Sequence, residues 1–104
     1  MKNVIVLTEA AAGIEGARDY YEEREAGLGE YCVSSVLTDL ESLAVFSGIH
    51  SRHFGFNRMI STHFPFGIYY RAHGDDTLVV AILDLRRNPK WIRKQLHQRR
   101  TPNE

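Results

Sequence analysis

The apolar periodicity of this chain changes once, near Ile49, and that change limits what the chain can fold into. Before it, apolar residues recur at helical spacing. Ala10, Ile14, Ala17 and Tyr21 fall at i, i+4, i+7 and i+11, and Val33, Val36, Leu37, Leu40, Leu43 and Ala44 form a second, stronger stripe that ends near 46–48. Between the stripes, "EAGLG" places Gly27 and Gly29 where two helices fold back on each other. After Ile49 the helical period disappears, and strands are predicted at 56–62, 66–73 and 77–86. A β-branched run at 3–8, "NVIVLT", reads as a further buried strand, with Thr8 placed to cap the first helix. The expected fold is α+β: an N-terminal helical hairpin packed on one face of a small antiparallel sheet, in the order β-α-α-β-β-β-α.

Gly74-Asp75 is a two-residue hairpin signal, and it fixes a register. If His73 pairs with Asp76, Tyr70 faces Val79, Ile68 faces Ala81 and Phe66 faces Leu83. With Ala72 and Leu85 these residues make a wholly apolar face for the helices. The opposite face then carries Tyr69, Arg71, His73, Leu78, Val80, Ile82, Asp84 and Arg86, a mixture better suited to contact than to a core. With a loop over 63–66, Arg58 and Arg71 become cross-strand neighbours, an arrangement of like charges that an anion or acidic partner would relieve.

In "LDLRRNPKWI", residues 83–92, an apolar run stops at two arginines and resumes as a helix. Asn88 is a suitable cap and Pro89 a suitable first helical residue, since a proline there forfeits no bond. Trp91, Ile92 and Leu96 would dock that helix, and Lys90, Arg93, Lys94 and Gln95 would stay wet. Thirteen Lys and Arg balance thirteen Asp and Glu, but they are not evenly spread. From Arg86 to Arg100 there are seven bases and no acid, whereas 9–30 is dominated by glutamates, so the molecule is expected to be electrically polar.

At 104 residues the chain fits a single domain, 1–98, with 99–104 as a flexible tail, and leaves little room for an elaborate enzyme pocket. Cys32 stands alone, which excludes an internal disulfide and a paired-cysteine zinc site and suits a reducing cytoplasm. The histidines at 50, 53, 63, 73 and 97 have no metal-ligand spacing, so no metal or cofactor is expected. No apolar run approaches the length of a membrane span.

The order of elements resembles the RelE/ParE toxins of bacterial type II toxin–antitoxin pairs, on the ParE (plasmid-stabilisation) side. "TEAAAGIEGARDYYEEREAGLGEYCVSSVLTDLESL" is similar to the opening hairpin of that family, where an acidic helix ends in paired aromatics before Gly-Leu-Gly. "FPFGIYYRAHGDDTLVVAILDLRRNPKWI" is similar to its second half. The resemblance implies a toxin neutralised by a cognate ParD-like antitoxin, whose acidic segment would contact Arg58, Tyr69, Arg71, Leu78 and Val80. It implies DNA gyrase as the target, met by Arg58, Arg71, Arg86, Arg87, Lys90 and Trp91, and leaves direct nucleic-acid binding open. The alternatives are a RelE-like ribosome-dependent mRNA endoribonuclease, with Arg58, Arg86, Arg87 and His53 as the candidate catalytic groups, and an inert toxin-like binding module. In the nuclease branch the middle strand begins Gly-Tyr-Arg, but here it reads Pro65-Phe66-Gly67, and the arginine is missing.

Overall fold

The computed structural model describes residues 1–99. Its elements are β1 (Asn3–Val6), α1 (Thr8–Arg24), α2 (Leu28–Phe46), β2 (Arg52–His53), β3 (Phe56–Ile60), β4 (Phe66–His73), β5 (Asp76–Asp84) and α3 (Pro89–Gln98). The strands form one sheet in the order β1-β5-β4-β3-β2. The α+β architecture follows the expectation, with two differences. β1 lies parallel to β5, Asn3 beside Asp76 and Val6 beside Val79, so the sheet is only mostly antiparallel. The segment after α2 contains a two-residue strand, β2, paired with the start of β3.

The α1–α2 turn is built by Glu22. Its carboxylate accepts the free N–H groups of Gly27 and Gly29, each at 2.9 Å, and so serves the orphan donors at the start of α2. Gly27 takes the left-handed backbone with φ of 90°. Gly29 is already inside α2, where a Cβ would stand 2.6 Å from the Arg18 carbonyl oxygen; its smallness sets the approach of the two helices. Thr8 is the first residue of α1 rather than its cap, and Leu7 holds the cap position without a side-chain hydrogen bond.

The predicted hairpin turn holds at its tip, with His73 opposite Asp76 and Tyr70 opposite Val79. Beyond that the register slips. A bulge leaves Val80 as an extra residue of β5, so Tyr69 faces Ala81, Ile68 faces Ile82 and Phe66 faces Asp84. The two faces are therefore redistributed. Phe66, Ile68, Tyr70, Val79 and Ile82 meet Val36, Leu40 and Leu43 under the helical hairpin. Tyr69, Val80, Ala81 and Leu83 join Phe56, Ile92 and Leu96 in a second core under α3. The face expected to be mixed is largely a core in its own right, and Ala72, expected in the helix-facing layer, is exposed.

After α2 the chain is tied down by Tyr70, which is 1% exposed. The Gly48 N–H donates to its hydroxyl oxygen at 3.0 Å, and the same hydroxyl is hydrogen-bonded with His50 Nδ1 at 2.5 Å. Burial holds the His50 pKa below its ordinary 6.5. As pH falls through that value, the unfolded chain takes up a proton that the folded chain resists, so this site loses stability on acidification. Thermal melts between pH 7.5 and 5.5 should fall less steeply in His50→Asn, which keeps an acceptor near Nδ1 and does not titrate. Parallel slopes would show that His50 is not the group responsible.

Candidate functional site

The structure divides the candidate residues among three places. Arg86, Arg87, Lys90 and Trp91 lie at the corner where β5 gives way to α3. His53, Arg58, Arg71 and Leu78 lie on the part of the sheet face beyond α3. Tyr69 and Val80 lie beneath α3, at 0% and 1% exposure. The last pair is therefore no surface for an antitoxin, because α3 covers that part of the face and packs Ile92 and Leu96 against Tyr69 and Val80.

At the corner, Asn88 accepts the Lys90 N–H through its side chain at 2.8 Å and Pro89 begins the helix, as expected. Ile92 and Leu96 are buried and anchor α3. Arg86 is exposed and forked onto Asp84: its Nη2 lies 2.7 Å from Oδ2 and its Nε 3.0 Å from Oδ1. The guanidinium holds the Asp84 carboxyl below the usual carboxylate range, and the same pair raises the Arg86 pKa. The Arg87 guanidinium lies over the Trp91 ring, 3.9 Å from its centroid, so the tryptophan fixes the direction of the charge as well as packing at the edge of the second core. Lys90, Arg93 and Lys94 are exposed along the helix.

Beside this corner runs a groove of about 640 Å³ between α1 and α3, with Tyr20, Tyr21, Asp84, Arg87, Trp91 and Gln95 among its walls. Its floor is low because α1 presents small residues. Gly13 sits against β5, where a Cβ would come 2.9 Å from the Ile82 carbonyl oxygen. At the far end Arg99 closes the groove, pairing with Glu9 at 2.7 Å and donating to the Val80 carbonyl at 2.7 Å. Arg99, expected in the tail, is docked instead, while 100–104 lie outside the described residues. Glu9, Gly13, Gly16 and Tyr20, at i, i+4, i+7 and i+11, are the signal for this groove, but without an apolar stripe they read as a solvated helix face.

On the sheet, Arg58 pairs with Tyr69 rather than with Arg71, since β3 and β4 meet with Asn57 opposite Tyr70. Arg58 interacts with the Tyr69 hydroxyl, whose pKa is raised by burial and partly lowered again by the arginine. His53, whose Nε2 is 2.9 Å from the Ser51 hydroxyl, has its pKa lowered by burial and then by Arg58. Arg71 and the corner do not converge, since Leu78, opposite Arg71, and Asp84 are six strand steps apart, ~20 Å, whereas Arg58 extends along Gly67 towards the corner. Gly67 lies between them. A Cβ there would meet Leu85 Cδ2 at 2.8 Å, Tyr69 Cε2 at 2.9 Å and Arg58 Cδ at 3.2 Å, so the place of the nuclease-branch arginine is filled by other side chains. Among the described residues no cluster of histidine, cysteine or carboxylate groups could hold a metal ion, and no helix is long and apolar enough to cross a membrane.

No family model matches the chain, and no curated protein matches it. Among solved structures it is similar to a chain of the "Chromosomal ParDE TA system from P. aeruginosa", with a TM-score of 0.67 and 19% identity over 79% of this chain and 94% of that one. A likeness at that identity speaks for architecture: this chain has the α+β fold of a ParE-like toxin.

Proposed function

We propose that the chain is the toxin of a type II toxin–antitoxin pair and that it acts by binding, with DNA gyrase as its target. The observation that carries the choice of binding over cleavage is at Gly67, where Leu85, Tyr69 and Arg58 occupy the space that a phosphate-facing arginine would need. Of the remaining cations, Arg71 lies ~20 Å from the corner of Arg86 and Arg87, too far to share one scissile phosphate with them. The corner of Arg86, Arg87, Lys90 and Trp91 is the target-binding edge. A ParD-like antitoxin would lay an acidic segment over the sheet beyond α3, at Arg58, Arg71 and Leu78, without reaching Tyr69 or Val80.

One observation favours the second reading, an mRNA endoribonuclease. His53 is held towards its neutral form by burial and Arg58, the state a general base needs. Purified protein assayed with gyrase on relaxed plasmid, and with translating ribosomes by mRNA end mapping, separates the two. Blocked supercoiling with intact mRNA is the expected result. Codon-positioned cuts with normal supercoiling would overturn the gyrase reading in favour of the nuclease.

A further inference from the structure

A pocket of about 260 Å³ between α2 and the β3–β4 turn plays no part in the surfaces described above. It is lined by Tyr31, Ser34, Ser35, Thr38 and Asp39 of α2 with Thr62 and His63 of the turn. Asp39 is 4% exposed. Its Oδ2 accepts the Ser61 hydroxyl at 2.8 Å and the Thr62 N–H at 3.1 Å, while Oδ1 accepts only the Thr62 hydroxyl, at 2.5 Å. Among the described residues no lysine, arginine or histidine forms an ion pair with it. One helical turn earlier lies Ser35, 7% exposed, whose Oγ is buried without a hydrogen-bond partner.

A buried carboxylate lacking a counter-charge and a buried hydroxyl lacking a partner, both lining one pocket, point to a single chemistry. An anion is repelled by Asp39, and an apolar group leaves the Asp39 charge uncompensated and Ser35 Oγ without a partner. A cationic N–H donor answers both. Tyr31, half-exposed at the rim and 5.9 Å from the His63 ring, offers a π face to the same cation. The rest of α2 agrees, for it carries Glu30 and Glu41 and no lysine or arginine. The volume lies below the ~300 Å³ usual for small-molecule pockets and suits the head of one side chain.

We propose that this pocket anchors the guanidinium or ammonium head of a basic side chain on a partner chain. Asp39 supplies the counter-charge, Ser35 Oγ accepts one of the N–H groups, and Tyr31 covers the cation. The site is built on α2 and stands whether or not the gyrase reading holds.

The test is a titration of the isotopically labelled chain with N-acetyl-arginine amide, N-acetyl-lysine amide, the uncharged N-acetyl-citrulline amide and free putrescine, following the Thr62 and Ser35 backbone amides by NMR. Saturable shifts with the two cationic residues are expected, with citrulline weaker by about tenfold or more. Asp39→Asn should weaken the arginine probe by a similar factor and Ser35→Ala by severalfold. If Asp39→Asn fails to fold, Ser35→Ala decides, since its hydroxyl makes no hydrogen bond whose loss could unfold the chain. An equal response to citrulline, or unaltered arginine binding in Ser35→Ala, would overturn the proposal. Putrescine binding about tenfold tighter than the capped arginine would overturn its partner-chain part and assign the pocket to a free amine.

Discussion

Replacing Arg86 and Arg87 together by alanine is expected to abolish growth arrest while leaving the fold and the affinity for antitoxin intact. Both side chains are exposed, and α3 is held by Ile92 and Leu96 rather than by either arginine, so stability should change by no more than about 0.5 kcal/mol. Removing a charge-assisted hydrogen bond to the target costs about 1.5–3 kcal/mol for each arginine, so target affinity should fall by about a hundredfold or more. An internal control accompanies the change. Without its forked partner, the Asp84 carboxyl should titrate at a higher pH, visible by carboxylate NMR. A double variant that is as toxic as the parent, with Asp84 shifted as expected, would mean that this corner is ordinary solvated surface.

The largest effect on stability is expected from Leu96→Ala. Leu96 is fully buried and packs with Phe56, Tyr69, Val80, Leu83 and Ile92, so truncation removes the centre of the packing between α3 and the sheet. Such a cavity costs about 2–5 kcal/mol. For a domain of this size the melting temperature should fall by about 10 °C or more. Function should suffer too, because α3 carries Trp91, which aims Arg87, and leads to Arg99, which closes the groove against Glu9. Lys94→Ala, on the exposed side of the same helix, should move the melting temperature little. Equal melting of the two variants would place the weight of the fold in the hairpin core alone.

Where local chemistry decides structure, the sequence is legible. The stripe Val36, Leu40 and Leu43 is the buried face of α2, Gly74 turns the hairpin with φ of 61°, and Asn88-Pro89 starts α3. What depends on a distant partner is not legible. "NVIV" reads as a strand in either direction, and only its bonds to β5, such as Leu7 N–H to the Val79 carbonyl at 3.0 Å, make it parallel. The alternation of β5 gives no sign that Val80 is an extra residue, because valine and alanine suit either face. That one residue exchanges the faces of Ala81, Ile82 and Leu83, while Tyr69 and Val80 keep their expected face and are buried because α3 covers it with Ile92 and Leu96. At the corner, Arg86 and Arg87 are evident as a pair, but their separate fates are not: one is forked onto Asp84, the other laid on Trp91. The pocket at Asp39 leaves no trace in the residue pattern, since buried carboxylates and solvated ones look alike until their neighbours are known.

The extra residue in β5 also bears on how this strand tolerates length change. Val79 and Ile82 point to one layer and Val80, Ala81 and Leu83 to the other, so the two ends of the strand run in opposite phase. Deleting Val80 alone would restore a single phase and leave Ala81, Ile82 and Leu83 on the faces, and opposite the β4 partners, that they already have, because Val80 is the residue without a partner on β4. Removing Val80 and Ala81 together would instead invert every side chain beyond them relative to the helices, sending Ile82 under α3 and Leu83 towards α1. At the bulge of this chain the parity rule of a regular strand is therefore reversed, and the loss of one residue is milder than the loss of two.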